Sequence, residues 1–448
     1  MKIIIIGGIA AGMSSAFKLK RTVPNSSITV YEKSSYISFG ACGLPYYVGG
    51  FFDNPDEMFA RTIEQAKKAG INVINQHEVI DVNTKSKSII VKNLKNNNEF
   101  EEHYDKLIIA SGASPIKPKI EGIELENIEY LHSFENGQIL KEKLKQENIQ
   151  KVAIIGAGFI GIEMIDAIHK LGKKAVLFEK CKRILQKVFD QDISDLLEKE
   201  LEEKKVKLVT QANITRFIGQ TKVEIIQYTI DDKQYHENVD LVIIAIGVKP
   251  NTQFIQNSNI AMQSNGAIKV NELGQTSIED IYAAGDCATI PHRLIEEPQY
   301  IPLATNANKL GRVIGDVIAN IDTKYLGSLG SSCVKVLDLE AGRTGLSEED
   351  ARKLGIEYKT TFIKDYNHTN YYPGRSEIYI KLIYDQKTNI ILGGQVIGKN
   401  DAIQRTNVLA TAIFAKLTTK QLGMLDLCYS PPFSRTWDVL NVVGNVSK

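Results

Sequence analysis

The 448-residue chain has one tryptophan and only five cysteines, Cys42, Cys181, Cys287, Cys333 and Cys428. Their number is odd and no pair has Cys-x-x-Cys spacing. That argues against a disulfide-stapled secreted fold and against a zinc ribbon, and no metal site is expected. There is no excess of either charge: 54 basic against 53 acidic residues leave a formal net charge of +1. Nothing in that balance calls for nucleic acid or an anionic membrane as partner. No apolar run reaches the roughly 18–20 residues that span a bilayer. Low-complexity linkers and solenoid repeats are missing too. At the N-terminus the apolar run Ile3 to Ile6 is broken at once by Gly7 and Gly8, and Lys18, Lys20 and Arg21 follow. The start is therefore not expected to be a signal peptide, and a cytoplasmic setting is expected.

What is present is ordinary for a folded chain, with 43% hydrophobic and 24% charged residues. At roughly 150 residues per domain the length predicts about three domains. Ile3 to Ile6 reads as a buried parallel strand. A small-residue turn, Gly7 to Gly12, leads into a helix over Ala11 to Arg21. A second strand, Ser27 to Tyr31, ends at Glu32. Nearly the same layout returns about 150 residues later. There Val152 to Ile155 is the strand, Gly156 to Gly161 the turn, Ile162 to Leu171 the helix, and Lys174 to Phe178 the next strand, ended by Glu179. Two further strands end in small residues: Leu107 to Ala110 before Ser111-Gly112, and Leu241 to Ile246 before Gly247. From about Ser328 short β-rich stretches precede a helix near Ala402 to Ala415, which reads as a separate α+β domain. The predicted fold class is α/β, with two Rossmann-like dinucleotide-binding domains and a C-terminal α+β domain.

A strand, a glycine turn and a helix make a phosphate site because the helix N-terminus offers free N–H groups and the positive end of its dipole. An acid about 20 positions further on takes the ribose hydroxyls. The second copy fits fully, with Gly156, Gly158, Gly161 and Glu179. Glu179 disfavours a 2′-phosphate, while Lys180, Lys182 and Arg183 stand ready to accept one, so NADH and NADPH both stay open. The first copy keeps Gly7, Gly12 and Glu32, but Ile9 holds the middle glycine position and Gly8 stands beside it. Packing of a tight glycine turn is the alternative for each copy.

With Asp286 added, the chain resembles the FAD- and NAD(P)H-dependent disulfide reductases. The run Thr276-Ser277-Ile278-Glu279-Asp280-Ile281-Tyr282-Ala283-Ala284-Gly285-Asp286 is similar to their second flavin motif, whose aspartate holds the ribityl chain. The resemblance covers essentially the whole chain. It implies a glutathione-reductase-like arrangement: an FAD-binding domain over 1–117 and 250–325, an NAD(P)H-binding domain over 118–249, and a dimerisation domain over 326–448. It also implies that Gly7, Gly8, Gly12, Glu32, Ser111, Gly112 and Asp286 hold FAD, and that Gly156, Gly158, Gly161, Glu179 and Gly247 complete the nucleotide sites.

Ser38-Phe39-Gly40-Ala41-Cys42-Gly43-Leu44-Pro45-Tyr46-Tyr47 carries one cysteine, with Ser38 where dithiol members have a second. This resembles the single-cysteine branch: coenzyme A disulfide reductase, NADH oxidase, NADH peroxidase and persulfide reductases. Asn370-Tyr371-Tyr372-Pro373-Gly374 and Tyr429-Ser430-Pro431-Pro432-Phe433-Ser434 are similar to coenzyme A disulfide reductases. In those enzymes two tyrosines of the partner subunit reach the active site, and they map onto Tyr371 and Tyr429. Ala10 stands where peroxidases and many water-forming oxidases have histidine. Ala41 stands where some coenzyme A disulfide reductases have asparagine. No rhodanese-like domain is expected after Lys448, which disfavours the fused persulfide reductases.

The resemblance implies that electrons pass from NAD(P)H by way of FAD to Cys42, expected at the start of a helix that favours its thiolate. Resting Cys42 would be a mixed disulfide with coenzyme A in a reductase, or a sulfenic acid in an oxidase. Tyr371 and Tyr429 would donate to the leaving thiolate; interface packing is their alternative. Ser38, Phe39, Lys20 and Arg21 are the candidates for substrate contact, the two basic residues also reading as a solvated face. Phe159 either shields the flavin or packs in the core. Cys428 beside Tyr429 would point away if the two lie on a strand. The expected assembly is a homodimer with a shared active site, acting on a small molecule.

Overall fold

The computed structural model describes all residues, Met1–Lys448. By its internal contacts the chain forms two compact units. The first comprises Met1–Leu44, Phe52–Ile116 and Val248–Ser328; the second comprises Pro45–Phe51, Lys117–Gly247 and Leu329–Lys448.

The first unit is built on a five-stranded parallel sheet. Its order is Ile281–Ala283, Lys106–Ile109, Lys2–Ile6, Ser27–Glu32 and Asn72–Asn75. Ile3, Ile4 and Ile5 are fully buried at its centre, as a strand covered on both faces requires. The helices Ala10–Thr22 and Ala304–Ile318 pack closely. A methyl group placed on Gly311 would lie 2.5 Å from the Ala11 carbonyl oxygen, and the Ser15 hydroxyl donates to the Gly311 carbonyl at 2.8 Å. An antiparallel ribbon of His77–Asn83, Ser88–Asn93 and Glu99–His103 completes the unit.

The second unit repeats this plan. Its parallel sheet runs Lys207–Val209, Lys174–Phe178, Lys151–Ile155, Leu241–Ile244, Ile128–Tyr130. A three-stranded antiparallel ribbon, Asn213–Ile218, Ile225–Ile230 and Lys233–Asn238, again lies in the chain before the return strand. The unit also holds a five-stranded antiparallel sheet, in the order Ser332–Val336, Leu339–Gly345, Ile391–Gly398, Glu377–Asp385, Tyr358–Tyr366, with the helix Ala402–Phe414 against it. The fold is thus α/β with two Rossmann-like sheets and a C-terminal α+β region.

Inside the second unit a buried polar cluster ties the parallel-sheet part to the antiparallel sheet. Lys381, only 2% exposed, pairs with Asp192 and Glu348 and lies 3.7 Å from Asp190. Asp190 caps the helix Gln191–Glu203. Its backbone N–H donates to Gln395 Oε1 at 2.9 Å, and Gln395 Nε2 donates back to Asp190 Oδ2 at 2.7 Å.

Two local expectations are corrected. The strand expected over Leu241 to Ile246 ends at Ile244, because Ala245 turns its carbonyl to within 2.5 Å of where a Gly156 side chain would begin. Cys428 and Tyr429 lie outside any strand, so strand alternation does not set their directions.

Candidate active site

The two glycine turns are built alike. Gly7 and Gly156 adopt φ of 101° and 103°, which only glycine takes without strain. Their N–H groups donate to Tyr31 and Phe178, both at 2.8 Å. A methyl group on Gly12 would lie 1.9 Å from the Gly7 carbonyl oxygen, and one on Gly161 would lie 1.9 Å from that of Gly156. The helix therefore starts in contact with the turn, with its N-terminal N–H groups aimed outward. Beside Gly158 there is open space within 4 Å, a cradle that a side chain would fill and a pyrophosphate can use.

The acids at the strand ends are held in the same way. Glu32 accepts from the N–H of Gly8 at 2.6 Å and of Ser34 at 2.7 Å. Glu179 accepts from Ala157 at 2.8 Å and from Cys181 at 2.7 Å. Each carboxylate is thereby fixed beside its turn with lone pairs left for ribose hydroxyls. The missing middle glycine of the first turn does not alter this geometry. Ile9 simply caps the helix where Gly158 does in the second.

The other predicted nucleotide residues of the first unit gather at the ends of its sheet strands. The Ser111 hydroxyl donates to the Asn251 carbonyl at 2.7 Å, and Asn251 N–H donates to the Gly112 carbonyl at 2.9 Å. Gly112 leaves open space where a side chain would stand. Asp286 follows the strand Ile281–Ala283, and burial alone holds its carboxyl above the usual range. A half-buried carboxylate with no cation beside it is stabilised by hydroxyl or N–H donors, which is what a polyol chain offers. Tyr300, missed in the sequence, donates to the Asp286 main-chain oxygen at 3.1 Å. Gly247 lies in the second unit, exposed, at φ of 112°. Both nucleotide sites fit their groups on these grounds.

Cys42 is exposed within a single 3-10 turn, Ala41–Gly43, that runs into the five-residue helix Leu44–Val48. Ser38 takes a left-handed conformation at φ of 54°. Its N–H donates to the Gly8 carbonyl at 2.9 Å, so the thiol segment is pinned to the first turn. Phe39 is buried against Tyr36 and Phe59, with ring centroids at 5.1 and 5.2 Å. Lys20 and Arg21 sit at the far end of their helix, about 15 Å along its axis from the turn. Lys20 is engaged by the Pro24 carbonyl at 2.8 Å. Phe159 opens its helix half-buried.

The fold brings Tyr371 and Tyr429 together from segments 58 residues apart, with 3.2 Å between their hydroxyl oxygens. They are 69% and 45% exposed, in a region where Tyr372, Phe433 and Trp437 are exposed too. The Tyr429 contact holds the Tyr371 hydroxyl above its ordinary range, so it stays protonated at neutral pH and can donate.

Sequence reasoning missed what anchors the two loops. Buried Arg405 pairs with Asp438 at 2.6 Å and donates to the Asn367 carbonyl at 2.9 Å. Ser434 donates to the same Asp438 at 2.8 Å. No local pattern signals this, since the partners come from separate segments. Replacing Arg405 with alanine is expected to cost about 3–5 kcal/mol, the scale on which breaking one side of a buried pair is felt. Chemical denaturation checks it.

Two nucleotide cradles and an exposed thiol define a flavin- and nicotinamide-dependent oxidoreductase. Residues 1–311 match the model of the pyridine nucleotide-disulphide oxidoreductases, and residues 331–439 match that family's dimerisation domain. The chain belongs to this family, whose members use FAD and NAD(P)H. It is 37% identical over 448 residues to the NAD(P)H coenzyme A polysulfide/persulfide reductase of Pyrococcus horikoshii, covering 100% of this chain and 98% of that protein. It is 30% identical over 449 residues to the coenzyme A disulfide reductase of Staphylococcus aureus, covering 100% of each. Among solved structures, the water-forming NADH oxidase from Lactobacillus brevis bound to NADH is similar at a TM-score of 0.94 and 31% identity, covering 99% of this chain and 97% of that one. No helix is long and apolar enough to cross a membrane.

Proposed function

We propose that the chain is a homodimeric NAD(P)H-dependent coenzyme A disulfide reductase that works through Cys42 alone. The observation that carries this reading is an exposed thiol, pinned to the first nucleotide turn, in a chain that also presents a pair of exposed tyrosine hydroxyls. The relatives that reduce sulfur–sulfur bonds support it. Gly7, Gly8, Gly12, Glu32, Ser111, Gly112 and Asp286 hold FAD. Gly156, Gly158, Gly161, Glu179 and Gly247 serve the nicotinamide nucleotide. The FAD-binding domain spans 1–117 and 250–325, the NAD(P)H-binding domain 118–249 and the dimerisation domain 326–448.

FAD, when bound, relays two electrons from the nicotinamide to sulfur. The chain's own part is thiol exchange. Cys42 thiolate attacks coenzyme A disulfide, forming a Cys42–coenzyme A mixed disulfide and releasing one coenzyme A thiolate. Two electrons from NAD(P)H then open the mixed disulfide, leaving Cys42 thiolate and a second coenzyme A thiolate. Tyr371 and Tyr429, acting across the dimer, donate hydrogen bonds to the departing sulfur. Ser38, Phe39, Lys20 and Arg21 remain the candidates for the substrate's binding path. The setting is the cytoplasm and the acceptor a small molecule.

One observation favours a second reading, a water-forming NADH oxidase: the same exposed thiol can cycle through sulfenic acid. Anaerobic NADH and NADPH oxidation with coenzyme A disulfide, run beside oxygen uptake without disulfide, separates the two. Anaerobic turnover is the expected result. No disulfide turnover with rapid oxygen uptake and no peroxide would give the oxidase.

A further inference from the structure

The second glycine turn is held from both sides at Ala157. Its N–H donates to Glu179 at 2.8 Å, and its carbonyl accepts from the Leu185 N–H at 3.0 Å. A trans peptide is planar, with C=O and N–H on opposite sides. Fixing the Ala157 carbonyl therefore aims the Gly158 N–H away from Leu185, at the start of the helix Phe159–Lys170, where a pyrophosphate is received. The first turn is held alike. Gly8 gives its N–H to Glu32 and takes the Ser38 N–H on its carbonyl. Each of these donors lies six residues beyond its acid. Each also takes a left-handed conformation, φ 54° at Ser38 and 49° at Leu185. A leucine is strained there, and such backbone persists only where its surroundings over-determine it.

Those surroundings reach into the C-terminal sheet. The Leu185 carbonyl accepts from Val188 at 2.7 Å and from Phe189 at 3.0 Å. The Val188 carbonyl accepts from Arg343 Nη1 at 2.9 Å. Two residues on, Asp190 exchanges its pair of hydrogen bonds with Gln395 and also accepts from the Glu348 N–H at 3.1 Å. Arg343 and Gln395 stand opposite one another on the paired strands Leu339–Gly345 and Ile391–Gly398. Gln395 is fully enclosed, and the other branch of Arg343 meets Asp350 at 3.2 Å. One cross-strand pair thus grips the segment 188–190, and hydrogen bonds lead from there through Leu185 to the turn.

We propose that Arg343 and Gln395 are positioning residues for the nicotinamide nucleotide: from the C-terminal sheet they hold Leu185 in its strained form, and Leu185 sets the peptide between Ala157 and Gly158. The proposal rests on the second turn being the nicotinamide-nucleotide site. Releasing either clamp lets Leu185 relax and the Ala157 carbonyl turn, so the Gly158 N–H loses its aim. Affinity for the nucleotide falls, while the step that follows binding keeps its rate.

The test is anaerobic stopped-flow reduction of the bound FAD by NADH and by NADPH, which needs no acceptor. Arg343→Met, Arg343→Lys, Gln395→Met and Gly156→Ala are compared with the wild-type holoenzyme. Arg343→Lys keeps a cation against Asp350 and guards against a variant that does not fold, but one ammonium cannot reproduce the fork that also reaches Val188. The apparent Kd is expected to rise about tenfold in the Arg343 and Gln395 variants, the scale of one net hydrogen bond. The limiting rate and the FAD content should stay at wild-type values. An unchanged Kd in folded Arg343→Lys and Gln395→Met overturns the proposal. A limiting rate or FAD content that falls in step with affinity marks a general loosening and overturns it as well. Gly156→Ala separates the two failures. If it weakens binding while the clamp variants do not, the clamp alone is wrong. If it too leaves Kd unchanged, the second turn is not the nicotinamide site, and the proposal goes with that assignment.

Discussion

Replacing Cys42 with serine abolishes coenzyme A disulfide turnover, a fall of about 10⁴-fold or more, the scale on which loss of a covalent nucleophile is felt. A serine hydroxyl is not ionised at neutral pH and cannot form a mixed disulfide. Three of the four remaining cysteines are poor replacements. Cys287 is fully buried, with its sulfur 3.4 Å from the Ile109 carbonyl. Burial, the Glu179 hydrogen bond and charge raise the Cys181 thiol, and burial raises that of Cys333, so both are poor thiolates. Cys428 is exposed but sits in the loop that carries Tyr429. The variant keeps both nucleotide turns, so it should bind FAD and oxidise NADH with an artificial electron acceptor at the wild-type rate. Disulfide turnover retained by Cys42→Ser would remove the single-thiol mechanism.

Replacing Gly156 with alanine is the second large effect, and it is selective. The position needs φ of 103°, and the new methyl group would lie 2.5 Å from the Ala245 carbonyl oxygen. Both obstacles are backbone, so no side chain can move aside. A strained φ/ψ costs about 1–3 kcal/mol and an overpacked contact about as much again. If the turn opens to relieve them, NADH binding weakens by roughly 100-fold at about 1.4 kcal/mol per decade. FAD content should stay near one per chain, since the first turn is untouched. Gly7→Ala reverses the pattern: φ of 101° and a carbonyl 2.2 Å from the new carbon should leave protein without FAD. FAD stoichiometry and KM for NADH, measured on both variants, check the pair. Equal losses of both nucleotides in each variant would contradict two independent sites.

The two turns were legible because strand, glycines, helix and acid follow one another within about 30 residues. Their geometry is local, and the substitution of Ile9 for the middle glycine of the first copy left it intact. The thiol segment and the two tyrosines were legible only through resemblance. Nothing in the spacing of Tyr371 and Tyr429 says that a buried Arg405 will draw their loops together. Phe39 is a candidate for substrate contact from its motif alone, and the sequence did not show that its ring packs in an aromatic cluster whose members the chain supplies from Tyr36 to Phe59.

The cluster around Lys381 bears on how this chain can be recombined with its relatives. Its ammonium comes from the antiparallel sheet, while Asp192 comes from the helix Gln191–Glu203 and Glu348 from the C-terminal region. Gln395 and Asp190 bridge the same division in both directions. A chimaera that takes residues 118–249 from a relative and keeps this C-terminal sheet leaves Lys381 facing whatever residues the donor has at 190 and 192. Unless those are carboxylates, the graft buries a charge that has lost part of its counterion shell. Exchanging that segment with a relative's therefore means transplanting both halves of this ion cluster together.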